Sequence, residues 1–191
     1  MLNMIKGCQI SDPSLLQEGY QQTEYGYCAN VNAEKIRLLV ERFITLHNEP
    51  CFLILEVPAR ADTAPVWTEV YYMDGLSVEA ALELLNTYGE LLVHDGLVSF
   101  GIGLHSGNNE IMVEKYNCVT VYTKTSGQYN GFFEQLDIPE VWDLKTAWDY
   151  FDDETPGDSF LYRWRGKTIY DLVELLKNQG LYLAECREEY V

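Results

Sequence analysis

The sequence predicts a single α+β domain over all 191 residues, with an antiparallel or mixed β-sheet packed with several helices. Three observations predict it. Apolar runs of strand length recur along the chain, and three longer segments place apolar residues at helical spacing behind a capping residue. The two kinds of element do not alternate strictly, which argues against a doubly wound parallel sheet. With 47% hydrophobic and 13% aromatic residues, the chain can build a real core.

Residues 1–31 carry little pattern and read as an irregular or extended lead-in to a core spanning 32–191. A helix follows over 32–48: Asn32 can cap it, Ile36, Leu39, Val40, Phe43 and His47 share a face, and Glu49-Pro50 closes it. CFLILEV (51–57) reads as a buried strand, 59–65 as a loop and VWTEVYYM (66–73) as the next strand. Asp74-Gly75 marks a turn. Ser77 then caps a helix with Val78, Ala81, Leu82 and Leu85 inward, which Gly89 is expected to interrupt.

Residues 97–104, 110–117 and 118–123 suggest an antiparallel meander with HSGNN as a turn. Short helices are expected over 128–137, with Phe132, Phe133 and Leu136 inward, and over 143–154, before Pro156-Gly157. SFLYRW (159–164) reads as a strand. Thr168 and Asp171 form a capping box for a helix with Ile169, Leu172, Val173 and Leu176 inward, ended by Gly180. LYLAEC (181–186) is the last strand.

Thirteen Lys and Arg face thirty Asp and Glu, a net charge of −17. Such a chain repels phosphate backbones and anionic lipid surfaces, so neither nucleic acid nor membrane is an expected direct partner. A basic protein or cationic ligand is the natural complement, and plain solubility is the competing explanation. Five scattered cysteines without C-x-x-C spacing suggest neither a redox dithiol nor a zinc knuckle. The N-terminus has no sustained apolar stretch, and the expected location is the cytoplasm.

No cofactor, metal or catalytic signature emerges. The glycines of GIGLHSG (101–107) miss both the dinucleotide and P-loop spacings and fit a strand of small residues. His47, His94 and His105 are not at metal-site spacing. His47 falls on a core-facing helix stripe, while His105, in a loop near Glu110, is the best placed for an enzyme or ligand site. G-x-S-x-G is absent.

The most informative stretch is 137–158. It holds Asp137, Glu140, Asp143, Asp149, Asp152, Asp153, Glu154 and Asp158 against the single Lys145. As a helix, 143–154 turns Leu144, Ala147, Trp148 and Phe151 to the core and leaves Asp149, Asp152 and Asp153 as neighbours elsewhere. Like charges at that spacing cost roughly 0.2–0.5 kcal/mol per pair. Three purposes compete: recognition of a basic protein, divalent-metal binding by paired carboxylates, and none.

FGIGLHSGNNEIMVEKYNCVTVYT, TAWDYF and GLYLAECREE together resemble small acidic bacterial immunity proteins of polymorphic toxin systems, over roughly the C-terminal half. The resemblance implies a cytoplasmic protein that binds and neutralises a cognate toxin, often a nuclease. The expected function is therefore a non-enzymatic inhibitor with an acidic face made by Asp149, Asp152 and Asp153, supported by Glu154, Asp158 and the aromatic Tyr150. The alternative is a small enzyme or ligand-binding domain near His105 and Glu110.

Overall fold

An eight-stranded antiparallel sheet forms the centre of the protein, in the order β10-β5-β4-β6-β7-β8-β3-β2. The computed structural model describes residues 2–60 and 67–188. The strands are β2 (Gly19–Thr23), β3 (Gly26–Asn30), β4 (Cys51–Pro58), β5 (Trp67–Leu76), β6 (Ser99–Leu104), β7 (Glu110–Val113), β8 (Cys118–Tyr122) and β10 (Tyr182–Glu188). β1 (Cys8–Gln9) and β9 (Asp158–Ser159) make a separate two-stranded sheet. The helices are α1 (Ala33–His47), α2 (Val78–His94) and α3 (Ile169–Lys177). The α+β class thus stands, and every pairing in the main sheet is antiparallel.

Period-2 alternation divides the sheet into two faces. In β4, Cys51, Leu53, Leu55 and Val57 belong to the main core with the inner stripes of α1 and α2. Phe52 and Ile54 point the other way and join Val70, Tyr72 and Met112 in a second, smaller apolar cluster. Gly101 and Gly103 lie on that second face. A Cβ at either position would overlap Met112 Sδ or the Phe52 ring, so β6 is small there because its neighbours lie across it.

Several expectations change. The lead-in 1–31 supplies β1 and the β2–β3 hairpin, whose Tyr20, Tyr27 and Ala29 are buried in the main core. Asn32 does not cap α1: its Oδ1 accepts the Asn3 backbone N–H at 2.7 Å and ties the N-terminal segment down. Asp74-Gly75 is no turn, since β5 runs through to Leu76 with a register shift against β4 and Gly75 at φ 69°. α2 continues through Gly89, where a Cβ would come within 2.8 Å of Arg37 Cδ on α1. The missing side chain permits that approach. The Ser77 cap and the Thr168–Asp171 capping box form as expected. The loop expected at 59–65 lies mostly outside the described residues.

Of the strand expected over 159–164, Ser159 alone joins a strand. Beyond it the chain is strapped to other segments by Phe160 N–H to the Gly7 carbonyl, 2.7 Å, and Tyr162 N–H to Asp95 Oδ2, 3.0 Å. The helix expected over 128–137 is two separate 3₁₀ turns, Ser126–Tyr129 and Glu134–Leu136, parted by Gly131 at φ 70°. The break lets Tyr129, Phe132 and Phe133 all turn inward. There they meet Tyr20, Tyr27, Phe43 and His47, with Phe133 stacked on Tyr20 at 4.4 Å. His47 Nε2 lies 2.9 Å from the Tyr129 hydroxyl, and burial holds its pKa below the usual histidine range. It is a structural histidine.

Candidate functional site: an acidic strap with exposed aromatics

The segment 137–158 is a strap that runs along the β2 edge of the sheet over 139–144 and ends at the small β1–β9 sheet, and the helix expected over 143–154 is absent. What remains of it is one 3₁₀ turn, Ala147–Asp149. The cause lies in who claims its backbone. Tyr20 N–H donates to the Pro139 carbonyl at 2.9 Å, and Val141 N–H donates back to the Tyr20 carbonyl at 2.8 Å. Gln21 donates from Nε2 to the Trp142 carbonyl and accepts from Leu144 N–H through Oε1, at 2.9 and 3.1 Å. Buried Asn30 donates to the Lys145 carbonyl at 2.7 Å. With the Trp142 and Lys145 carbonyls bonded to β2 and β3, the first turn of that helix loses acceptors for its opening i to i−4 bonds.

The aspartates complete the conversion. Asp149 Oδ2 accepts the Thr146 N–H at 2.8 Å and its hydroxyl at 3.0 Å. Asp152 Oδ1 accepts the Glu154 and Thr155 N–H groups and the Thr155 hydroxyl, at 2.9, 2.7 and 2.8 Å. Short polar side chains bonding nearby backbone in this way compete with helix. Both carboxyls sit below the usual aspartate range. For Asp149 the Thr146 backbone N–H is the main cause, and for Asp152 it is the Thr155 hydroxyl. Both stay charged well below neutral pH. Asp149, Asp152, Asp153, Glu154 and Asp158 are all exposed. They do not form the expected helix face but follow one another along a turn-rich strap. Among the described residues, Lys145–Asp143 at 3.1 Å is the only ion pair that the eight strap acids make.

The expected apolar stripe is split. Leu144 and Ala147 are buried, and Phe151 packs partly against Tyr116. Trp148, assigned to the core from spacing, is 53% exposed, with Tyr116 and Phe151 edge-on at 5.3 and 5.4 Å. Tyr150 is 37% exposed. Trp142, which the periodicity did not single out, is 96% exposed. Its carbonyl is fixed by Gln21, so the backbone is anchored while the indole faces solvent. Three large aromatics therefore punctuate an acidic strap. The sequence signal for Trp142 was its position in PEVWD, one residue before the expected helix.

The strap borders the second face of the sheet. There Cys28 and Cys118 lie with sulfurs 3.9 Å apart. Their hydrogen bond holds the Cys28 thiol below its usual pKa, against burial and against the Glu114 and Asp149 carboxylates, which both raise it. Asp149 thus acts on the same thiol as Glu114. Farther across, burial pushes the carboxyls of Glu110 and Glu114 above the usual glutamate range, and Glu56 adds to both shifts.

The alternative reading centres on His105 and Glu110. His105 packs its ring tilted against Phe52, centroids 5.0 Å apart, and its Nε2 faces Asp74 Oδ1 at 3.8 Å. Glu110 instead lines a cavity of about 410 Å³ with Phe52, Asn109 and Tyr122. Among the described residues no hydrogen bond or ion pair joins His105 to Glu110.

Comparison with known protein families, curated proteins and solved structures finds no match to this chain. Among the described residues no group of three His, Cys, Asp or Glu side chains is assembled to hold a metal, and no helix is long and apolar enough to cross a membrane.

A second polar cluster escaped the sequence reading. A cavity of about 620 Å³ between α1 and α2 is lined by Lys6, Glu34, Arg37, Glu90, His94 and Trp164, among others. Lys6 Nζ donates to Glu90 Oε1 and the Tyr162 hydroxyl at 2.6 and 3.1 Å, and its backbone N–H donates to His94 Nδ1 at 3.2 Å. Burial lowers the His94 pKa. With Nδ1 accepting the Lys6 N–H, the ring carries its proton on Nε2, which lies 3.7 Å from Glu90. The network ties Lys6 and Tyr162 to α2.

Proposed function

We propose that this protein is a non-enzymatic protein-binding module whose acidic strap docks a basic protein, as an immunity-type inhibitor docks and neutralises a cognate toxin. One observation carries the reading: Trp142 stands 96% exposed on an anchored backbone, with Trp148 and Tyr150 also exposed farther along the same acidic strap. Exposed large aromatics are the residues that interfaces concentrate as anchors. A Trp face flanked by carboxylates suits Arg and Lys, through cation–π contact and charge together. A nuclease that holds phosphates in a basic cleft presents that combination, which fits the resemblance to immunity proteins.

The strap is also preorganised. Asp149 and Asp152 are fixed by turn hydrogen bonds, so less side-chain entropy is lost when they meet a partner. Affinity capture with the immobilised chain tests the reading. The captured protein is expected to be cationic at neutral pH, to be released as salt rises, and to inhibit growth or degrade nucleic acid when expressed alone. Asp149→Asn/Asp152→Asn/Asp153→Asn is expected to lose the capture, because asparagine keeps the caps and removes the charge. An acidic partner, or one retained equally by the triple variant, contradicts it.

A further inference from the structure

We infer that the free edge of β10 is a self-complementary surface, on which a second copy of this chain adds an antiparallel strand centred on Cys186. The two sheet edges are treated differently. The outer edge of β2 is closed by the strap, through Tyr20, Pro139 and Val141. β10 pairs only with β5 among the described residues, and all seven of its residues are exposed. A strand edge of that kind presents unpaired N–H and C=O groups and templates another strand.

The charge pattern chooses the occupant. A two-fold axis perpendicular to the sheet keeps every side chain on its own face. Pairing across it therefore sets one residue opposite its own copy. Centring on Glu185 opposes carboxylate to carboxylate, and centring on Arg187 opposes guanidinium to guanidinium. Centring on Cys186 places Glu185 opposite Arg187 of the second copy, twice over, in the stretch beyond the register shift between Leu183 and Glu185. Opposite charges directly across an antiparallel pair stabilise it, and like charges destabilise it. In the single chain Arg187 reaches back across β5, with Nη1 2.9 Å from Glu56 on β4 and Nε 3.1 Å from Glu185, so pairing with a second copy exchanges these contacts for the cross-strand ones. The exposed Cys186 then lies on the axis beside its copy. Directly opposed Cβ atoms are about 4.5–5.5 Å apart, close to the reach of a disulfide.

The surface uses none of the strap residues, so it stands or falls separately from the proposed function. Sedimentation velocity of the full chain from about 10 μM to 1 mM is expected to reveal a species of twice the chain mass that grows with concentration. Arg187→Glu is expected to weaken it about 10-fold or more. The double swap Glu185→Arg/Arg187→Glu is expected to restore it, which general damage to the strand would not allow. Diamide, taking two electrons and two protons from a pair of thiols, is expected to cross-link the wild type and not Cys186→Ser. A chain that stays monomeric throughout overturns the inference. So does a dimer indifferent to Arg187→Glu and to Cys186→Ser.

Discussion

Replacing Phe133 with alanine is expected to cost about 3–5 kcal/mol of stability, the range for removing a fully buried aromatic. Phe133 is 1% exposed, stacks on Tyr20 at 4.4 Å, and meets Phe132 edge-on at 5.1 Å and Tyr27 at 5.6 Å. Its loss opens a cavity under the β2–β3 hairpin. The effect reaches farther than the cavity, because Tyr20 also anchors the strap through its backbone and donates its hydroxyl to Glu134 at 2.6 Å. Urea unfolding is the measurement, with the midpoint falling at nearly constant slope. A loss below about 1 kcal/mol, the level of an ordinary substitution, would mean the aromatic cluster is not packed as described.

Trp142→Ala should separate binding from folding. An indole 96% exposed buries almost nothing, so stability is expected to stay within about 0.5 kcal/mol of the wild type. Affinity for the captured basic partner is expected to fall by at least about 2 kcal/mol, or roughly 30-fold, as for an aromatic hot spot. Trp148→Ala is expected to cost less in binding and more in stability, because that ring packs on Tyr116 and Phe151. Calorimetric titration and thermal melts of both variants read the contrast directly. Unchanged affinity on loss of Trp142 removes it from the interface.

Where neighbours in the chain decided the structure, the sequence was a good guide. α1, α2 and α3 carry clean apolar stripes, two of them with working caps, and β6, β7 and β8 pair as an antiparallel meander. Distant partners decided the rest. The lead-in became three strands because Tyr20, Tyr27 and Ala29 found a core built from residues a hundred positions away. The i, i+3, i+4, i+7 spacing of Leu144, Ala147, Trp148 and Phe151 reads as a helix. Gln21 and Asn30 nevertheless take the backbone groups that a helix needs. The acidic aspartates were legible as a cluster, whereas their turn-capping geometry and the exposure of Trp142 were not. Glu56 and Glu114 were passed over because a single charge in an apolar strand reads as noise until register places both on one face.

The four tryptophans offer the most direct test that the strap is the docking surface. Their indole N–H resonances can be followed while a short arginine-rich peptide is titrated into the isotope-labelled chain. Trp142 and Trp148 are expected to shift together and to recover as salt is added, with Trp67 and Trp164 nearly still. Movement of Trp67 and Trp164 instead, or equal movement of all four, would contradict the assignment of cationic partners to this strap.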